Sequence, residues 1–109
     1  MLKKTIPSSG EKIAAVGVGT WRGFDIGAGL AERNDRREVL QTLLNAEASV
    51  VDSSPMYGRA EGVIGDLLAD LGRRDETFIA TKVWTRGRSE GISEMEASFR
   101  LFKTDVILW

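Results

Sequence analysis

A partial (β/α)8 TIM barrel is the fold class the sequence predicts: an amino-terminal hairpin, about three β/α units and the start of a fourth strand. Short apolar runs rich in β-branched residues alternate with stretches whose apolar positions recur at helical spacing. That alternation implies parallel strands joined by right-handed crossover helices. Asp52 and Lys82 close consecutive strands 30 residues apart, which suits a barrel in which about 250 residues make eight units. A doubly wound sheet gives the same spacing, so the glycines matter. The run Gly17-Val18-Gly19-Thr20-Trp21-Arg22 has Arg22 where a dinucleotide-binding turn needs its third glycine, and no helix follows at once. The barrel is the better reading.

The elements follow in order. Thr5-Ile6 and Lys12-Ile13 flank the turn-forming Pro7-Ser8-Ser9-Gly10, predicting a small hairpin over residues 4–14. Ala14 to Trp21 is a short apolar run and reads as a buried strand. Residues 22–34, with Gly23, Gly27 and Gly29, read as a long mobile loop. Asn34 or Asp35 then caps a helix carrying Val39, Leu40, Leu43 and Leu44. Ser49 to Asp52 is the second strand. Arg59 to Leu71 reads as a helix because Val63, Ile64, Leu67, Leu68 and Leu71 make one stripe, with Gly72 placed as a C-cap. Thr77 to Val83 is the third strand. Ile92, Met95, Phe99 and Phe102 mark a third amphipathic helix, and Asp105 to Trp109 begins a fourth strand.

Composition bounds the function. With 109 residues, 42% hydrophobic and 28% charged, the chain is one domain's worth, residues 1–109. A net charge of -1 gives no electrostatic case for nucleic acid or for a membrane surface. No run approaches the roughly 18 apolar residues that span a bilayer, and no signal peptide follows Lys3-Lys4. The absence of cysteine removes a thiolate metal site and fits a cytoplasmic protein. No metal is expected.

An acid, a phenol and an amine stand where strands should end. Asp52 follows Val50-Val51 and opens Asp52-Ser53-Ser54-Pro55-Met56-Tyr57-Gly58; Lys82 closes Phe78-Ile79-Ala80-Thr81 and precedes Val83-Trp84. Strand ends are where α/β enzymes hold chemistry on rigid scaffolding. A cation beside a phenol favours phenolate, and a carboxylate beside that cation keeps it charged and oriented. Asp52, Tyr57 and Lys82 therefore read as a proton-donating tyrosine with two tuners. Asp52 alone would read equally well as a strand-end cap. Arg86-Gly87-Arg88 reads as a solvated loop rather than a phosphate contact.

These residues carry a resemblance. Gly17-Val18-Gly19-Thr20-Trp21, the run Asp52 to Gly58 with Glu61 and Gly65, and Thr81-Lys82-Val83-Trp84 resemble the amino-terminal third of the aldo-keto reductases, over about Ile13 to Ile107. The resemblance implies an enzyme that uses NADP(H) or NAD(H) to reduce a small aldehyde or ketone. It implies that Tyr57 protonates the carbonyl oxygen, that Lys82 hydrogen-bonds Tyr57 and eases its ionisation, and that Asp52 pairs with Lys82. It further implies that Gly19, Thr20 and Asp52 meet the cofactor and that Trp21 and Trp84 line the substrate pocket, core packing being the plainer role for the two tryptophans.

Departures from the family pattern shape the expectation. The family's fourth catalytic residue is a histidine just beyond the position of Trp109, and this chain has none. The remaining cofactor contacts belong to later strands, so cofactor binding and turnover by this chain alone are not expected. Two functions follow: a reductase present as a truncated piece, or a non-catalytic barrel piece serving as a binding or assembly module or an inactive gene remnant. Open sheet edges favour self-association and marginal stability.

Overall fold

The computed structural model describes residues 2–27, 29–104, 106 and 107. Strands β1 (Lys3–Thr5) and β2 (Lys12–Ala14) form an antiparallel hairpin in which Lys4 lies opposite Ile13. The hairpin closes where Ile6 N–H donates to the Glu11 carbonyl and Gly10 N–H to the Ile6 carbonyl, each at 2.8 Å. After it come β3 (Gly17–Gly19), α1 (Leu30–Asn45), β4 (Val50–Asp52), α2 (Ala60–Leu71), a 3-10 turn at Arg74–Glu76, β5 (Phe78–Ala80) and α3 (Arg88–Phe102).

The second sheet is parallel, in the order β3-β4-β5, and its register aligns Gly19, Asp52 and Ala80. This is the arrangement of consecutive β/α units in a barrel wall, as the 30-residue spacing predicts. Alternation along each strand decides which side is dry. Val51 and Ile79 are buried against the helices, whereas Val50, Asp52, Phe78 and Ala80 are half-buried on the other face.

Helix α2 is the centre of the core. Val63, Ile64, Leu67 and Leu68 are fully buried among Leu40 and Leu44 of α1, Phe102 of α3, and the strand residues. Burying one such side chain is worth about 1.5–3 kcal/mol. Its crossing with α3 is set by Gly65, where a Cβ would lie 1.8 Å from the Leu101 carbonyl oxygen. Gly72 ends α2 in the left-handed conformation, φ 67°, as its place after the stripe predicts. Arg33 and Arg37 of α1 reach Asp66 and Asp70 of α2 at 3.0 and 2.9 Å. These pairs are half-buried at their arginines and open to water at Asp70, and partly solvated pairs contribute little to stability.

Several expectations are corrected. The strand predicted over Ala14 to Trp21 is only Gly17–Gly19 and is not buried, because β3 is a sheet edge and Val16 stands exposed. The third strand is likewise cut from Thr77–Val83 to Phe78–Ala80. Helix α1 begins at Leu30, ahead of the expected caps Asn34 and Asp35, with Gly29 at its N-cap. The preceding loop is anchored rather than free. Phe24 and Ile26 are buried in the core, Arg33 Nε donates to the Gly27 carbonyl at 3.1 Å, and Arg36 Nε donates to the Gly23 carbonyl. In α3 the buried residues are Ser98 and Phe102, while Ile92 is exposed. The fourth strand expected from Asp105 to Trp109 falls largely outside the described residues. Ile107 packs against the core.

Candidate active site

The site lies at the carboxyl ends of β3, β4 and β5, on the face of the sheet turned away from the helices. Asp52 ends β4, and Lys82 follows the end of β5 by two residues, so strand alternation gives both the same face. Lys82 Nζ stands 3.2 Å from each carboxylate oxygen of Asp52 and donates to the Ser53 carbonyl at 2.6 Å. The same ammonium lies over the Tyr57 ring, 5.0 Å from its centroid. A cation at that distance over a phenol face is attracted by the ring quadrupole. The structure thus brings together the acid, phenol and amine that the sequence singles out, but the hydrogen bond expected from Lys82 to Tyr57 is replaced: the ammonium is directed to Asp52 and the Ser53 carbonyl and meets Tyr57 through its ring.

The turn carrying Tyr57 is fixed at both ends. Tyr57 N–H donates to the Ser54 carbonyl at 3.0 Å, and Ala60 N–H to the Tyr57 carbonyl at 3.1 Å, leading straight into α2. Gly58 has φ 60°, and a Cβ there would meet the Asp25 carboxyl at 2.4 Å. That carboxylate accepts from Arg59 N–H at 2.9 Å and from Arg59 Nε at 3.3 Å. The Arg59 amide, helped by its guanidinium, holds Asp25 below the ordinary carboxylate range. The anchored loop therefore clamps the tyrosine turn.

Thr20, expected beside the cofactor, is placed in the interior with no exposed surface. Its hydroxyl lies 3.0 Å from the Asp52 carbonyl oxygen and 2.8 Å from Ser53 Oγ, with its single proton to share between them. Gly19 is open: a Cβ there would meet nothing within 4 Å. Trp21 and Trp84 stand exposed beyond the ends of β3 and β5, Trp21 with the Arg22 guanidinium 4.6 Å from its ring. The Trp84 amide donates to Glu94 of α3.

Two residues to which the sequence reading gives no site role organise the site. Ser53 is fully buried and joined on three sides: its N–H donates to the Ala80 carbonyl at 2.8 Å, its hydroxyl meets Thr20, and its carbonyl receives Lys82. Only its place directly after a strand-end acid hinted at this. Glu61 is 3% exposed and accepts from Thr81 Oγ1 at 2.7 Å and from Ser98 Oγ at 2.8 Å. Burial pushes its carboxyl above the ordinary glutamate range; the two hydroxyls pull it back, Glu94 adds to the rise and Lys82 opposes it. Its signal was available, because Glu61 shares the face of Ile64 and Leu68 at helical spacing. Among the described residues no group of three acidic side chains is placed to hold a metal ion, and no helix is long and apolar enough to cross a membrane.

Comparison with known proteins shows what the chain as a whole resembles. The model of the aldo/keto reductase family matches residues 15–107. Methylglyoxal reductase YeaE of Escherichia coli is 33% identical over 98% of this chain, which spans 38% of that protein's length. The solved thermostable aldo-keto reductase Tm1743 superposes with a TM-score of 0.81 at 28% identity, over 98% of this chain and 40% of its own. An aldo/keto reductase from Klebsiella pneumoniae, solved with NADP and acetate, gives a TM-score of 0.76 at 27% identity, over 97% of this chain and 38% of its own.

Proposed function

The chain belongs to the aldo/keto reductase family, and we propose that it carries the proton-donating part of a nicotinamide-dependent reductase of small aldehydes or ketones. The observation that carries this reading is the position of Lys82, held by Asp52 and Ser53 with its ammonium over the Tyr57 ring. Tyr57 is the general acid. Negative charge grows on the carbonyl oxygen as carbon is reduced, so a phenol aimed there stabilises the transition state more than the ground state. When its proton leaves, the phenolate ring already faces a fixed ammonium. Asp52 balances that ammonium and keeps it from drifting toward solvent.

NADP(H) or NAD(H) supplies the hydride when bound, and the NADP complex of the Klebsiella relative supports the first. The residues present fit the nicotinamide end of such a cofactor. The Asp52 side chain is 51% exposed, leaving carboxylate lone pairs for a ribose hydroxyl, and the space at Gly19 is open. Thr20, fully buried, acts by holding Asp52 and Ser53 from behind. Trp21 and Trp84 supply exposed apolar walls for the substrate, and the methylglyoxal reductase relative points to small carbonyl compounds. The proposed setting is the cytoplasm, which a chain without cysteine suits.

The chain spans about two fifths of the length of these relatives, and residues 1–109 are expected to need the remaining strands for turnover. The test replaces the matching part of the Escherichia coli relative with residues 1–109 and follows NADPH oxidation with methylglyoxal. Turnover is expected, with Tyr57→Phe abolishing it; an equally active Tyr57→Phe chimera would overturn the assignment. A second reading, a non-catalytic binding or assembly module, draws on β3 and β5, the edges of the sheet among the described residues. NADPH titration of residues 1–109, read by tryptophan fluorescence, bears on the choice in one direction: submillimolar binding would overturn the expectation that the chain alone holds no cofactor and would favour the enzyme reading.

A further inference from the structure

We propose that Glu61 is a positioning residue: a buried carboxylate brace that sets Lys82 against Tyr57. The two groups sit on different elements, so something must fix the distance between them. Tyr57 lies on the turn into α2, four residues before Glu61, while Lys82 lies past the end of β5. Glu61 spans the gap. Its Oε2 accepts from Thr81 Oγ1 at 2.7 Å, and Thr81 is the residue before Lys82.

Consecutive residues of an extended chain point to opposite sides. Thr81 turns its hydroxyl to the helix side and is 3% exposed, and Lys82 consequently reaches the other side, to Asp52 and to the Ser53 carbonyl. Fixing the Thr81 side chain fixes the direction in which Lys82 leaves the backbone. A second leg of the brace runs to α3, where Ser98 Oγ stands 3.0 and 2.8 Å from the two Glu61 oxygens. That leg joins helices and does not touch the segment bearing Lys82. A carboxylate this buried is costly unless its lone pairs are met, and these hydroxyls meet them. The inference rests on the reading of Lys82 and Tyr57 as a proton-transfer pair.

Trace acetylation of residues 1–109, read lysine by lysine by peptide mass spectrometry, tests it with the exposed hairpin residues Lys3 and Lys12 as internal references. In the parent chain Lys82 is expected to label several-fold more slowly than Lys3 and Lys12. Glu61→Leu, which removes the brace, and Thr81→Val, which cuts only its β5 leg and keeps the test should Glu61→Leu not fold, are each expected to raise the relative labelling of Lys82 several-fold. Thr81→Ser, which retains the hydroxyl, and Ser98→Ala, which cuts the other leg, are expected to leave it as in the parent, with circular dichroism confirming a common fold. Lys82 as protected in Thr81→Val as in the parent would overturn the brace, and so would Ser98→Ala unmasking it equally. Lys82 labelling as fast as Lys3 in the parent would overturn instead the functional reading beneath it.

Discussion

Lys82 Nζ is equidistant, at 3.2 Å, from the two carboxylate oxygens of Asp52. The pair joins β4 to the segment after β5, yet both side chains are more than a third exposed, 37% and 51%. Water screens such a pair, and exposed pairs are worth about 0–1 kcal/mol. Its purpose is orientation. Asp52→Asn should therefore lower stability by no more than about 1 kcal/mol while removing reductase turnover from the chimera. Urea denaturation checks the first expectation and NADPH oxidation the second. A large loss of stability with turnover retained would reverse the assignment.

Glu61 makes a pH-dependent contribution. Burial raises its carboxyl above 4.5, with Glu94 adding to the rise and Thr81, Ser98 and Lys82 opposing it. The folded value is above the unfolded one, so folding favours the protonated form. The associated stability is complete below 4.5 and is lost as pH rises through the raised value. Glu61→Gln does not titrate. The stability of the parent relative to Glu61→Gln should fall as pH climbs above 4.5 and flatten once the carboxyl is ionised, as read from urea midpoints across the pH series. A relative stability that rises over this range would contradict the buried placement.

Gly65 sets how closely α2 and α3 approach. A methyl at this position would stand 1.8 Å from the Leu101 carbonyl oxygen and 2.9 Å from the Phe102 Cα. Both obstacles are backbone, so no rotamer change relieves them. Gly65→Ala should cost about 1–3 kcal/mol, the usual range for overpacking, and should loosen the Ser98 leg of the Glu61 brace. Thermal melts check the cost. Gly19→Ala, with nothing within 4 Å of the new carbon, is the matched control and should melt near the parent.

Much of this was legible in the sequence, and the remainder was hidden for identifiable reasons. Helix α2 could be read because its five apolar stripe positions and Gly72 are local signals. The strand ends could be read because an ionisable residue after an apolar run is also local. The start of α1 could not, since it is set by distant partners: Phe24 and Ile26 in the core, and arginines on the Gly23 and Gly27 carbonyls. Strands were overestimated because apolar runs extend past the three residues that find ladder partners. Asp52, Tyr57 and Lys82 were selected by chemical type. Ser53 and Glu61 stand in the segments that carry the family resemblance, but their roles in the site are hydrogen bonds between segments remote in sequence, which no local pattern states.

The sheet leaves a final expectation. Among the described residues, strands β3 and β5 are its edges, each with backbone donors and acceptors along one side that no described strand pairs. The face carrying Asp52 is only half-covered, with Trp21 and Trp84 exposed beyond the strand ends. Parallel sheets are normally covered on both faces, and an unpaired edge is a template for another chain. Residues 1–109 should therefore self-associate, and the association should draw on the sheet rather than on α1. Sedimentation velocity over a wide concentration range should show a boundary that quickens with concentration. On edge strand β3, Thr20 N–H is the one that donates to the Asp52 carbonyl, and Gly19 N–H faces away from β4. Gly19→Pro therefore removes an edge donor without touching the ladder and should weaken the concentration dependence, whereas exposed Gln41→Ala on α1 should not. A concentration-independent monomer that melts cooperatively above about 65 °C, beyond the usual mesophile range, would show that this sheet closes its own edges.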